Sequence, residues 1–376
     1  MVGNVRHKFM RDVVARITFG VFFVRAGRAR AGRRFRGDDV GHGGPMMRRR
    51  GMLLGAVAVL FGAATASRSQ DPGRVWKLGM LLPGTRPSGA PDPVSAAGLI
   101  AEAIGDLGFV EGRNLIVDRR YAEAQLDHLP AIARELVGAG PDAIVAVGAT
   151  ATRAAKQATA TIPIVFYGNF DPVASGTVTN LARPGGNVTG ILIAPEGTLA
   201  EKKVELLLEA APKARRIVFL APPDPAIRHQ FDEARKAASR QGVDVVAVEV
   251  GSGDYDRAFA AIARERPQAL FVAAHTIFVR DRRQVIERAN RLRVPAIYEW
   301  REQVVDGGLM SYGSSLRATS RRVADVVGRI FRGAAPGDIP IEQPTTFRLV
   351  VNAGTARTTG IELPRSLLLR ADEVIP

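Results

Sequence analysis

Cysteine is absent from all 376 residues. That excludes disulfides, thiolate metal sites, cysteine nucleophiles and a lipidated lipoprotein N-terminus. No apolar run reaches the roughly 18 residues that a membrane-spanning helix needs. Motifs of common enzymes are missing too. There is no G-x-x-x-x-G-K-[ST], no G-x-G-x-x-G after the first strand, no G-x-S-x-G and no H-E-x-x-H. The five histidines show no metal-ligand spacing, so neither a metal nor an organic cofactor is expected. Aromatics make up only 6% of the chain, with two Trp and five Tyr. What remains, 46% hydrophobic and 24% charged, is the composition of a globular protein. The length suits about two domains.

A net charge of +15 suggests a nucleic-acid partner until it is divided along the chain. Residues 1–66 hold 13 Lys and Arg against three Asp, so +10 belongs to this segment and +5 to the other 310 residues. The body is only mildly basic and shows no nucleic-acid-binding module. Inside the basic segment lies a three-part export pattern. Arg48-Arg49-Arg50 precede an apolar core at Met52–Phe61, and Ala64-Thr65-Ala66 forms a small-residue exit. Residues 46–66 are thus expected to be a Sec or twin-arginine signal, which implies a periplasmic or otherwise extracytoplasmic protein. Residues 1–45 are expected to be a non-native or disordered basic extension upstream of the true start.

From Arg74 onward, short Val/Ile-rich runs alternate with amphipathic stretches. Strands are expected at 76–82, 115–121, 143–147, 164–167, 217–220, 243–250, 269–273 and 296–298. Helices are expected at 96–107, 129–138, 151–158, 199–211, 227–240, 255–266 and 280–291. Strict β-α alternation means parallel sheets covered by helices on both faces. Eight strands are many for one sheet in a chain of this size. The turn-rich run Leu181–Gly190 marks a break, and Asp306–Gly308 and Gly333–Gln343 are candidate further crossings. The expected fold class is therefore α/β, with two doubly wound parallel-sheet lobes joined by a hinge. The first lobe would be 74–190 plus 307–335, and the second 191–306 plus 336–376.

In open α/β sheets, ligands bind beyond the carboxyl ends of strands. Gly84 and Thr85 follow the first strand. Gly148, Ala149 and Thr150 follow the third and open a helix, whose free N–H groups suit a carboxylate. Asp171, in the loop after the fourth strand, suits an ammonium group or else caps a turn. His275 and Glu299 stand at strand ends in the second half. Tyr167 and Tyr298 could sandwich an apolar ligand or pack in the core.

Several segments together resemble the bacterial ABC-transporter substrate-binding family that includes tryptophan and other aromatic amino-acid binding proteins. They are Leu107–Leu115 (LGFVEGRNL), Ile162–Phe166, Asp171–Val173, Leu181–Gly190 (LARPGGNVTG), Gly307–Gly313 (GGLMSYG) and Leu367–Val374. The resemblance runs from about Val75 to Ile375. It implies a type I periplasmic-binding fold, a non-enzymatic receptor that closes on a small ligand such as an amino acid, and an inner-membrane permease as partner, with the receptor a monomer. By position it puts Thr150 and its helix start at the ligand carboxylate and Asp171 by the amine, with Gly84, His275 and Glu299 facing the cleft. Two other readings stand beside it. One is an exported sensor for a receptor kinase; the other is an α/β enzyme using Asp171, His275 and Glu299.

Overall fold

The computed structural model describes residues 73–376, apart from 88, 90, 91, 194–198 and 252. The expected signal and upstream extension lie outside the described residues. The described chain belongs to one compact unit, Ala64–Pro376, built around two sheets.

The first sheet contains β1 (Trp76–Leu82), β2 (Leu115–Tyr121), β3 (Ala143–Val147), β4 (Ile164–Gly168) and β5 (Val188–Leu192). Its order is β2-β1-β3-β4-β5, parallel throughout. Parallel neighbours need crossover connections. Helices α1 (Ala96–Asp106), α2 (Leu129–Gly138) and α3 (Ala149–Ala158) supply the first three, and the connection from β4 to β5 has no helix. β3 and β4 are buried along their whole length, as their unbroken apolar runs require. Ser95 starts α1 by accepting the Gly98 amide at 3.1 Å.

The second lobe opens with α4 (Leu199–Ala210), β6 (Arg216–Ala221), α5 (Arg228–Ser239), β7 (Asp244–Glu249) and α6 (Tyr255–Arg264). It continues through β8 (Ala269–Val272), α7 (Thr276–Arg280), α8 (Arg282–Leu292), β9 (Ala296–Tyr298), α9 (Arg301–Val305) and β10 (Met310–Gly313). The chain then returns to the first sheet as α10 (Leu316–Phe331). It ends in the second lobe as β11 (Arg348–Asn352), α11 (Ala353–Thr359), α12 (Arg365–Arg370) and β12 (Glu373–Ile375). The seven-stranded sheet runs β12-β11-β10-β9-β8-β6-β7, with β11 antiparallel to β10. Among the described residues no helix is long and apolar enough to cross a membrane.

Both lobes have their own apolar core. Val218, Phe219, Leu270 and Phe271 centre the second. In the first, Trp76 stacks on Phe331 at 4.6 Å between ring centroids, with Phe109 edge-on to both. That aromatic trio ties the end of α10 to β1 and explains why the chain returns after β10.

The chain changes lobe between Leu192 and Leu199, at Ser314–Ser315, and between Glu342 and Arg348. Two expected boundaries move accordingly. Residues 307–313 lie in the second lobe, because Met310 and Ser311 pair with Ile297 and Tyr298 of β9. Residues 336–342 lie along the first sheet, where Ile341 N–H donates to the Leu181 carbonyl at 2.8 Å and Leu192 N–H to the Glu342 carbonyl at 2.9 Å. The Leu181–Gly190 run is also only partly a turn. Its last three residues begin β5, an edge strand that the turn-forming composition concealed.

Gly190 is in that strand because Phe166 crosses it. A Cβ there would stand 2.4 Å from the Phe166 carbonyl oxygen and 2.5 Å from its ring. Gly190→Ala should therefore cost about 1–3 kcal/mol of stability, read as a lowered melting temperature by circular dichroism. An unchanged melting temperature would contradict this packing.

Candidate functional site

The carboxyl ends of both sheets meet, and their loops touch. Thr150, in the first turn of α3, donates its hydroxyl proton to Asp224 Oδ1 at 2.9 Å. Asp224 follows β6 in the run Pro222-Pro223-Asp224-Pro225 and comes from the other lobe. Its Oδ1 also accepts the Ala226 amide at 3.0 Å. His275, which follows β8, sets Nε2 3.6 Å from Asp224 Oδ2, an ion-contact separation rather than a hydrogen bond. The Nδ1 atom of His275 accepts the Ile277 amide at 3.2 Å. That bond leaves the proton of the neutral ring on Nε2, directed toward Asp224.

Asp224 is almost wholly buried, with 4% of its side chain exposed. Burial opposes its ionisation. The His275 ring, the Ala226 amide and the Thr150 hydroxyl outweigh that penalty and hold its carboxyl below the usual aspartate range. A charged carboxylate therefore sits at the centre of the contact between the lobes.

Beside this trio lies a cavity of about 60 Å³ that runs from Val147 to Thr276 and Ile277. Its wall is mostly apolar, with Leu82, Pro83, Ala96 and Ala97 from the first lobe. Tyr121, Thr85 and Asp92 add polar edges, and Arg280 reaches in from the second lobe. Arg280 is held by Asp281, itself braced by the Tyr255 hydroxyl at 2.6 Å, and its Nη1 stands 3.4 Å from the Thr85 carbonyl. Gly84 is a close approach: a Cβ there would lie 2.9 Å from Arg280 Nη1. Arg282 closes the rim by pairing with Asp92 of the first lobe and with Asp306 at 2.7 Å.

The expected residues thus separate into two groups. Gly84, Thr85, Gly148, Ala149, Thr150 and His275 lie at the carboxyl ends that meet. Gly148 adopts φ 87° to turn β3 into α3, a backbone that glycine accepts without strain. Four others are elsewhere. Tyr167 is fully buried under α10 and shares a 2.8 Å hydrogen bond with Thr319. It points away from the cleft because alternate residues of β4 face opposite sides of the sheet. Tyr298 is fully buried in the second-lobe core. Glu299 is 1% exposed and ion-paired with Lys203 of α4. Burial pushes the Glu299 carboxyl up, against the pull of Lys203. Asp171 caps a turn, with Oδ1 accepting the Val173 and Ala174 amides at 2.8 and 2.9 Å. Sequence reasoning missed Asp224 and Arg280. The rule that found His275, looking just past each strand, would have found Asp224 after β6. Among the described residues no cluster suited to a metal occurs.

Comparison with known proteins agrees with this architecture. The profile of the family described as "ABC transporter substrate binding protein" matches residues 94–375. A tyrosine-binding protein of Clostridioides difficile is 25% identical over 263 residues, covering 69% of this chain and 75% of that protein. A crystal structure of a conserved domain protein from Vibrio cholerae superposes with a TM-score of 0.70 at 27% identity, covering 80% of this chain and all of the other. The ABC domain from Streptococcus pneumoniae in complex with L-Trp gives a TM-score of 0.67 at 23% identity, again over 80% of this chain and all of the other. The last likeness speaks to the fold.

Asp224 generates a pH prediction. A carboxyl held low in the folded state stabilises it above the ordinary aspartate pKa and loses that contribution as pH falls through the folded value. In urea unfolding, the stability gap between the native protein and Asp224→Asn should therefore shrink below about pH 4. A gap that stays constant with pH would contradict an ionised, partnered Asp224.

Proposed function

Because the chain belongs to the ABC transporter substrate-binding protein family, we propose that it is exported through the segment at 46–66, captures an amino acid or related carboxylate between its lobes, and presents it to a membrane permease. The observation that carries the ligand class is the buried, ionised Asp224 facing the start of α3 across the cleft. An α-amino acid brings an ammonium and a carboxylate a few ångströms apart. The ammonium pairs with Asp224. The carboxylate meets the free amides at the start of α3 and the Thr150 hydroxyl. The ligand head group then replaces the Thr150–Asp224 bond, so both lobes gain contacts only when they close on it.

The side chain of the ligand extends toward the cavity edged by Leu82, Tyr121 and Ile277. This apolar wall favours a nonpolar or aromatic amino acid, in keeping with the tyrosine-binding relative. Ligand pockets commonly occupy some 300–1,000 Å³, whereas this cavity is about 60 Å³. Entry of an aromatic side chain therefore requires the lobes to part. No catalytic step belongs to this reading: His275 is engaged through Nδ1 with a backbone amide and serves to orient Asp224. The receptor acts as a monomer.

A thermal-shift screen against L-tyrosine, L-tryptophan, L-leucine and aromatic acids tests this. Binding to the folded state alone raises stability by about 2.7 kcal/mol at 100 times the dissociation constant. Asp224→Ala should weaken binding by about 2–5 kcal/mol, as expected on truncating one partner of a buried charge pair. No shift with any of these ligands, or a shift that Asp224→Ala leaves intact, would contradict the assignment. Incubation with a hit should return it chemically unchanged by mass spectrometry.

A further inference from the structure

A second cavity, of about 530 Å³, shares no lining residue with the one in the cleft. Two chain crossings and the strand before the other form its walls: Gly313–Ser315 between β10 and α10, Glu342–Thr346 before β11, and Ile191 in β5. The cavity therefore sits at the hinge and is bounded by both lobes.

Its charged groups are incompletely paired. Arg301 is engaged, with two 2.7 Å bonds to Glu373. Arg322 stands 3.5 Å from Glu342, outside good hydrogen-bond geometry. The Arg348 side chain has no hydrogen bond or ion pair among the described residues, although its charge helps lower the Glu373 carboxyl. On the same wall, Glu302 Oε2 is buried without a hydrogen-bond partner. A buried carboxylate oxygen left in that state is costly, and a donor from a ligand or an ordered water would relieve it. The first turn of the 16-residue α10 also lines the cavity, adding the partial positive charge of its N-terminus.

We propose that the hinge cavity is a second ligand site, for a small carboxylic acid that also carries a hydroxyl or amino donor. The acid group lies against Arg322, Arg348 and the start of α10. The donor group satisfies Glu302. Since both lobes build the walls, occupancy and lobe separation are thermodynamically linked.

Calorimetric titration of the full chain with L-malate, L-aspartate and succinate tests the site. Malate and aspartate, which carry a donor, should bind more tightly than succinate, which lacks one. Arg348→Ser should weaken malate at least about tenfold, and Glu302→Gln should abolish the preference over succinate. Asp224→Asn, which disables the cleft, can shift malate affinity through the linkage but should not abolish malate binding. Malate should also change the radius of gyration of the native protein but not of Arg348→Ser. If Arg348→Ser does not fold, Arg322→Ser carries the same expectation. Absence of binding by all three acids overturns the proposal. So does binding that Asp224→Asn removes and Arg348→Ser retains, which would put the acid in the cleft and leave the cleft assignment standing.

Discussion

The Thr150–Asp224 hydrogen bond joins the two sheets where the loops after their parallel strands meet, at the carboxyl ends. Asp224 is the demanding partner. It is nearly sealed from water and yet ionised, so it must be surrounded by donors. Two donate directly, the Ala226 amide from its own loop and the Thr150 hydroxyl from the opposite lobe, and the His275 ring stands 3.6 Å away at the neighbouring strand end. Removing the opposite lobe exposes the carboxylate to water, which hydrates it almost as well. The contact is thus close to balanced, and a bound ammonium group can tip it. A cleft that recognises its ligand by closing needs that balance.

The hinge is stiffened by a different kind of contact. Glu299 follows β9 beside the end of β10, where a Cβ on Gly313 would fall 2.1 Å from the Glu299 carbonyl oxygen. Lys203 reaches Glu299 from α4, the first helix after the first crossing. Breaking such a buried pair is expensive, whereas its net contribution when intact is small. Its role is to fix where α4 sits relative to the strand that leads into the second crossing. The second crossing is therefore anchored on a rigid strand.

The strand pattern was largely legible because parallel strands are short, continuous apolar runs. β1, β2, β3 and β9 coincide with the runs that predict them. β5 was hidden because Gly190 and its turn-rich approach read as linker, and only the crossing of Phe166 explains a glycine there. The longest helix, α10, went unread. Its alternation of Arg with small residues resembles a solvated surface, yet one face packs on α1 and the first sheet. In the site, backbone features transferred best: the glycine turn at Gly148 and the loop after β1 follow from chain geometry alone. Side-chain direction did not. Whether Tyr167, Tyr298 or Glu299 faces the cleft depends on strand parity and on partners such as Thr319 and Lys203 that lie far away in sequence. Asp224 was within reach of the strand-end rule, but its role appears only when Thr150 stands opposite.

The central claim is that ligand draws the lobes together through Thr150 and Asp224. The absence of native cysteine makes it directly measurable. Asp127→Cys and Arg257→Cys, both exposed at the start of first-lobe and second-lobe helices on the cleft side, can each carry a spin label. The distance distribution between them, by pulsed electron resonance, should shorten and narrow when L-tyrosine or another identified ligand is added. With Asp224→Asn in the same background it should not change. A distribution that ignores saturating ligand, or that still shortens without the Asp224 carboxylate, would contradict the account.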